Sequence, residues 1–416
     1  MKVLWITNIL FPEASAVLFG KNDLKSSGGW MLGAAENLVC RDDVYLCVAT
    51  VSSLVSEIKQ IDGERIRYYV IPLEKRNISN YEKTWIEINK DFCPDIVHIH
   101  GTESPHGCAF IYACGSANVV ISIQGLLSAY EPYYYYGLSK LDIYKNLTLR
   151  DIIKGSILKQ QKKFRKSSKY EIEMLKNVDH VMGRTTWDRA KIWAINPEAK
   201  YHFCNETLRS EFYDGSIWAY ENCLSHSIFV SQASYPIKGL HQILKALPLI
   251  LRHYPDTMLR VAGPNLIETT SLSQQIKLSG YGKYLKRLVN KYNLTEHITF
   301  LGPLNADQMK DEYLQCNVFI SPSSIENSPN SLGEAQILGV PCISSYVGGA
   351  MDMMEGNDEN LYRFEEIEML AFKVCRIFDN KDKQINMSER ARKRHDPKQN
   401  DERLFSIYKR IIDREF

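Results

Sequence analysis

No C-x-x-C pair occurs among the ten cysteines of this 416-residue chain, so neither a zinc site nor a disulfide framework is expected. Most of these cysteines sit in apolar runs, such as Cys47 in VYLCVAT and Cys316 before NVFI. They read as reduced, buried thiols of a cytoplasmic protein. Apolar runs of about 18 residues are missing, so no membrane-spanning helix is expected. The opening MKVLWITNILFP has a short apolar run and no small-residue cleavage site after it, and reads as a strand rather than a signal peptide. An excess of one charge is missing too: the formal net charge is +2, too near zero for bulk nucleic-acid binding. Low-complexity segments and clear short repeats are also absent. The first strand lacks a compact G-x-G-x-x-G after it, which argues against a nicotinamide dehydrogenase.

The chain does have a strand-helix rhythm. An apolar run at 2–7 leads into a loop ending in Gly28-Gly29, and a helical pattern follows from Trp30. Further strand-like runs fall at 44–51, 66–71, 96–100, 119–123 and 178–183, with helical stretches between several of them. Alternation of this kind predicts a largely parallel, doubly wound sheet. A second such pattern starts near Ser227 with SIFVSQA. Its helix at 240–251 has apolar residues at 240, 243, 244, 247 and 251, the spacing of a buried face. MLRVAG, HITFLG, NVFISPS and VPCISS continue the strands. The expected organisation is a first α/β domain over 1–215 with an insertion at about 125–170, a second over 216–395, and a final helix at 396–416.

The richest stretch is SPSSIENSPNSLGEAQILGVPCISSYVGG, residues 321–349. A buried strand ends, a polar turn follows, and a helix is expected to begin near Asn330 or Ser331. Ligands of doubly wound sheets bind where strands end and helices begin. Amides at Ser331 and Leu332 suit a diphosphate, helped by the helix dipole. Glu326 and Glu334 flank the turn with seven residues between them, and each offers two oxygens to paired sugar hydroxyls.

This segment resembles the E-x7-E motif of retaining GT-B glycosyltransferases, family 4 in particular. GVPCISSYVGG is similar to a second element of that family. The resemblance covers most of the chain and is stronger in its second half. It implies two Rossmann-like doubly wound domains facing a central cleft, with the sugar nucleotide held by the second and the acceptor by the first, and the final helix at 396–416 returning to the first. Carried over, Glu326 faces the transferred sugar, Glu334 the ribose, and the amides at 330–332 the diphosphate. FVSQASYPIKGL resembles the family's strand-loop element bearing an Arg and then Lys-Gly. Lys238 matches the lysine that neutralises the diphosphate. The arginine is missing, and Gln232 or Ala233 stands in its place. Gln offers hydrogen bonds but no charge, so Arg184 is the candidate to replace it. Gly28 and Gly29 match the family's glycine pair near the donor phosphates.

Other candidates lie at strand ends in the first half. His100, Glu103 and His106 follow the strand at 96–100 and are candidates for the cleft or the acceptor, while His98 alternates inward and reads as structural. Many family members carry a histidine where this chain has Gln124, and Gln cannot serve as a general base at neutral pH. In a same-face retaining reaction a donor phosphate oxygen takes that proton instead, and Gln124 is left to hydrogen-bond sugar or acceptor. The resemblance implies no cofactor and no metal, since no D-x-D stands in the expected position. The implied donor is UDP- or GDP-linked, and the acceptor a saccharide or a polyprenyl-diphosphate-linked saccharide in capsule, lipopolysaccharide or exopolysaccharide assembly. YEPYYYY and the basic Lys162, Lys163, Arg165 and Lys166 suit contact with the inner membrane face through 130–170. The same stretch reads equally as a solvated helix face beside a tyrosine-packed loop. A GT-B sugar-nucleotide epimerase and a catalytically silent sugar-nucleotide-binding module are the competing readings.

Overall fold

The computed structural model describes residues 1–20, 29–73, 78–379 and 385–415. Two compact units emerge: Met1–Ser128, Arg165–Leu208 and His395–Phe416 form the first, and Ala129–Phe164 with Arg209–Arg394 form the second.

The first unit holds an eight-stranded sheet. Its strands are β1 (Lys2–Thr7), β2 (Tyr45–Ser52), β3 (Lys59–Asp62), β4 (Ile66–Pro72), β5 (Ile96–His100), β6 (Val119–Ser122), β7 (His180–Gly183) and β8 (Lys200–Phe203). They lie in the order β3-β4-β2-β1-β5-β6-β7-β8. All neighbours are parallel except β3, which pairs antiparallel with β4 at one edge. β1 and β5 are buried almost throughout, as expected for strands covered on both faces. The edge strands β3 and β8, KQID and KYHF, mix charges with apolar residues and give no strand signal in the sequence.

The C-terminal helix Pro397–Asp413 belongs to this unit, and its fully buried Tyr408 reaches the centre of the sheet. Trp5 Nε1 donates to the Tyr408 hydroxyl at 3.0 Å. That hydroxyl lies 2.5 Å from Nδ1 of His98, whose Nε2 meets Ser122 Oγ. Burial, with His100 beside it, holds His98 well below its ordinary pKa. A neutral ring accepting at Nδ1 and donating at Nε2 satisfies both contacts, so His98 is a structural histidine.

The second unit holds a six-stranded sheet, ordered β11-β10-β9-β12-β13-β14. Its strands are β9 (Ser227–Val230), β10 (Met258–Ala262), β11 (Ile298–Gly302), β12 (Val318–Ser321), β13 (Cys342–Ser345) and the two-residue β14 (Leu361–Tyr362). All pairings between these strands are parallel. Phe229, Tyr313 and Phe319 pack edge-on or tilted beneath β9 and β12, with ring centroids 5.1 to 6.1 Å apart.

The structure corrects the expected domain limits. The sequence reading attaches about 125–170 to the first domain, yet Ala129–Phe164 packs within the second unit. His241 Nε2 meets the Tyr136 carbonyl at 3.1 Å, Lys245 Nζ donates to the Gly137 carbonyl at 3.1 Å, and Ser324 Oγ donates to the Tyr133 carbonyl at 3.0 Å. These contacts join residues about a hundred or more positions apart, which local pattern does not reveal. The division falls at Leu208/Arg209 rather than at 215/216, and the Arg209 side chain bonds inside the second unit. The tyrosine run is partly core: Tyr134 is 4% exposed and donates to Gln160 Oε1. Lys162, Lys163, Arg165 and Lys166 are exposed on the helix Ile157–Lys176.

Candidate functional site

In the second sheet the strand order reverses between β9 and β12, and ligands of open α/β sheets bind beyond the strand ends at such a point. The loop after β9 carries Gln232 and Lys238, and the loop after β12 carries Ser323 and Glu326. These four line one pocket with Ser331.

Lys238 ends the short 3-10 turn Pro236–Lys238, and Gly239 follows with φ +70°. A Cβ at Gly239 would stand 1.7 Å from the Pro322 carbonyl oxygen, so the Lys-Gly pair is set by backbone approach. Lys238 Nζ lies 2.5 Å from Glu326 Oε1, which also accepts from Ser323 Oγ at 2.8 Å. Burial pulls the Lys238 ammonium down, but the Glu326 charge and hydrogen bond outweigh it and leave it above its ordinary value. Gln232 is exposed at the pocket, and Ala233, 3% exposed, is core.

The glycine pair after β13 fixes Glu326 from the other side. Gly349 N donates to the Glu326 carbonyl at 3.0 Å, and a Cβ on Gly348 (φ +53°) would sit 1.8 Å from the same oxygen. Gly348→Ala is therefore expected to shift the Glu326 backbone. Loss of donor binding measured by calorimetry should accompany a modest drop in Tm, and wild-type donor affinity would refute this.

The helix Asn330–Ile337 starts after Pro329 without a side-chain cap. The Leu332 amide donates to the Pro329 carbonyl at 3.0 Å, and its side chain is fully buried. Leu332 is thus committed to the helix, while Asn330 and Ser331 are partly exposed at its start. Glu334, 5% exposed, receives a fork from Arg209: Nε to Oε1 at 2.8 Å and Nη2 to Oε2 at 2.9 Å. Burial raises the Glu334 carboxyl, opposed by Arg209. Each carboxylate oxygen keeps a second lone-pair site for another donor.

Arg209 was missed by the sequence reading. NETLRSEFY gives it no periodic or motif signal, and its partner lies 125 residues away. Arg184, the candidate stand-in cation, is 6% exposed in the first unit, and Nη1 lies 2.8 Å from Glu206 Oε2. Its Nη2 also donates to the Gln124 carbonyl at 3.3 Å. The arginine beside Glu334 is Arg209, and Arg184 pairs with Glu206 inside the other unit.

In the first sheet the order reverses between β1 and β5. Asn8, just after β1, meets His106 Nε2 through Oδ1 at 2.9 Å and donates to Glu103 Oε2 at 3.4 Å. So the loops after both strands converge. His100 is 5% exposed, stacks on His98 at 3.7 Å between centroids, and neither ring nitrogen has a hydrogen-bond partner among the described residues. It lines a small cavity with Trp30, Gln124, Arg184 and Asn400. Burial pushes His100 down to about 3 and His106 down to about 4, so both are neutral near pH 7. The turn carrying Gln124 is anchored by the fully buried Glu171. That carboxylate accepts from the Leu127 and Ser128 amides at 2.8 Å and from the Thr102 and Ser128 hydroxyls at 2.7 and 2.6 Å. Gly29 opens the helix Gly29–Val39, and Gly28 lies outside the described residues.

Burial, with the negative charges of Glu171 and Glu206 adding, pushes the Glu103 carboxyl up to about 7. The folded state then keeps a proton that the unfolded chain loses at lower pH. The resulting stability is full below the ordinary carboxylate range and is lost as pH rises through about 7. Glu103→Gln should flatten that decline in urea midpoints, and an unchanged slope would sink the assignment.

Residues 226–394 match the family model described as glycosyl transferases group 1. This stretch belongs to that family. The group 1 domain thus contains Lys238, Glu326, Ser331 and Glu334. The phosphatidylinositol N-acetylglucosaminyltransferase gpi3 subunit of Schizosaccharomyces pombe is 23% identical over 277 residues, covering 66% of this chain and 51% of the relative. The chain therefore spans about half the length of that relative, and about a third of others such as the D-inositol 3-phosphate glycosyltransferase of Corynebacterium urealyticum, 26% identical over 37% of this chain and 35% of that one. Among solved structures, the sucrose-phosphate synthase of Thermosynechococcus elongatus superposes with TM-score 0.70 at 13% identity, over 100% of both chains. The fold, with its two parallel-sheet Rossmann-like units, is GT-B.

Proposed function

We propose that this group 1 chain transfers a sugar from a nucleotide-sugar donor, UDP- or GDP-linked, to a saccharide or lipid-linked saccharide acceptor with retention of anomeric configuration. The observation that carries the reading is the Lys238–Glu326 pair, held 2.5 Å apart at the strand reversal of the group 1 domain. When the donor binds, Lys238 turns from Glu326 to the diphosphate, and the freed carboxylate takes the sugar hydroxyls. The Asn330 and Ser331 amides face the same phosphates, and Glu334 uses the lone pairs that Arg209 leaves to hold the ribose. Gln232 adds a neutral hydrogen bond.

In the transfer step the bond from the anomeric carbon to the phosphate oxygen breaks. The acceptor oxygen bonds to that carbon from the same face, and its proton passes to a phosphate oxygen of the departing nucleoside diphosphate. Lys238 stabilises the charge that develops there, without a metal ion in the reading. Gln124 hydrogen-bonds the sugar or acceptor. His100, Glu103 and His106 serve the acceptor side, where neutral imidazoles suit hydroxyl groups better than anions. The gpi3 relative is named for transfer onto phosphatidylinositol, which favours a lipid-linked acceptor and a place at the inner membrane face in capsule, lipopolysaccharide or exopolysaccharide assembly.

A thermal-shift screen against UDP-, GDP-, ADP- and dTDP-sugars tests the donor assignment. Binding to the folded state raises Tm with ligand excess over Kd. One nucleotide class should shift Tm in the wild type and fail to do so in Glu326→Ala. No shift with any donor would overturn the proposal, and release of an altered sugar nucleotide without an acceptor would favour an epimerase.

A further inference from the structure

Two short helices of the second unit, Leu149–Lys154 and Leu272–Lys277, pack against each other. Leu149, Ile152 and Ile153 on the first are 69%, 74% and 76% exposed, and Leu272 and Ile276 on the second are 77% and 63% exposed. The usual arrangement is inverted. Asp151, the acid of the first helix, is only 7% exposed. Its carboxylate accepts from the Thr148 amide at 3.2 Å in a capping box. It also stands at the start of the helix Gly280–Lys291, where a Cβ on Gly280 would lie 2.4 Å from Oδ2. With the acid anchored inward, the isoleucines on the same turn face water. Proteins seldom leave neighbouring large aliphatics this exposed unless the patch meets something.

The polar groups around the patch choose the partner. Lys154 and Lys277 are cations of these helices, Arg150 is a third whose Nη1 lies 3.9 Å from Asp151 Oδ1, and neither helix carries an exposed acid. A second copy of the chain docking isologously would set like charges opposite one another. A surface of anionic headgroups over acyl chains takes both the cations and the aliphatics. No described helix is long and apolar enough to cross a membrane. Resting on the membrane-face placement proposed above, we infer that this face docks the protein on an anionic lipid surface, with the leucines and isoleucines entering the headgroup boundary and the cations meeting lipid phosphates.

The test uses the full chain with neither donor nor acceptor present, so its outcome is separate from that of the transfer reading. Vesicles of phosphatidylcholine with phosphatidylglycerol should sediment the wild type, and pure phosphatidylcholine should do so far less. Ile152→Ser/Ile153→Ser and Leu272→Ser/Ile276→Ser alter exposed side chains, so each should keep the wild-type Tm while lowering vesicle partitioning roughly tenfold. Arg150→Gln/Lys154→Gln/Lys277→Gln should erase the preference for anionic lipid. The inference is overturned if the wild type stays in the supernatant with both vesicles, or if the serine variants sediment like the wild type. Light scattering showing a wild-type dimer that the serine variants dissociate would overturn it as well, and would assign the patch to a second copy.

Discussion

Lys238→Met is expected to lower kcat/KM for sugar transfer by about 10²- to 10³-fold, the effect of deleting one donor aimed at developing transition-state charge. Most of the loss should fall on kcat, because negative charge on the diphosphate grows as the glycosidic bond breaks. Stability also changes. Glu326 is left in a pocket where 11% of its side chain is exposed, with Ser323 still donating to it. Removing one member of a buried pair costs stability because the remaining charge is uncompensated. Lys238→Met/Glu326→Gln should therefore recover much of the urea midpoint lost in the single variant and still fail to transfer sugar. That pattern separates a catalytic cation from a structural one. Steady-state kinetics with product mass analysis, beside urea denaturation, reads both effects, and wild-type kcat/KM in Lys238→Met would refute the donor-site assignment.

The second large effect is expected at Arg209. Its fork fills one lone-pair direction on each Glu334 oxygen and fixes the plane of the carboxylate. The Arg209 guanidinium also lies 4.8 Å from the centre of the Phe212 ring, which holds it in place. Arg209→Ala should raise KM for the donor by about 10- to 150-fold, from the roughly 1.5–3 kcal/mol typical of hydrogen bonds to charged groups, and change kcat much less. Burial already raises the Glu334 carboxyl, and without the arginine it rises further. Donor affinity of Arg209→Ala should thus improve as pH rises and Glu334 ionises, whereas the wild type should change little over the same range. Arg209→Lys keeps the charge but not the two-point geometry and should fall between the two. Donor affinity in Arg209→Ala that matches the wild type at every pH would remove Arg209 from the site.

The core of both sheets was legible in the sequence because buried parallel strands are short, nearly continuous apolar runs. β1, β5, β9 and β12 stand out in KVLWIT, IVHIH, SIFV and VFIS. The edge strands β3 and β8 did not stand out, since a strand exposed on one side needs no such run. The residues proposed for the donor site were legible for a different reason. Lys238-Gly239 and Glu326 with Gly348-Gly349 are tied to backbone approaches under 2 Å for any added Cβ, and such constraints leave fixed local patterns. Arg209 left none, because a guanidinium can reach a distant carboxylate from many backbone positions.

By itself the sequence determined the strand-helix rhythm, the approximate strand positions and the placing of Lys238, Glu326 and Glu334 next to strand ends and a helix start. The rhythm and the strand positions follow from local periodicity, and Lys238 was singled out by the resemblance of FVSQASYPIKGL to the family's strand-loop element. Tertiary structure alone decided which cation serves Glu334, that Arg184 is committed to Glu206, that His98 is held by Tyr408 of the last helix, and that Ala129–Phe164 belongs to the second unit. All four depend on side chains meeting across long stretches of chain. Such meetings are set by how sheets and helices pack, and local periodicity does not encode them.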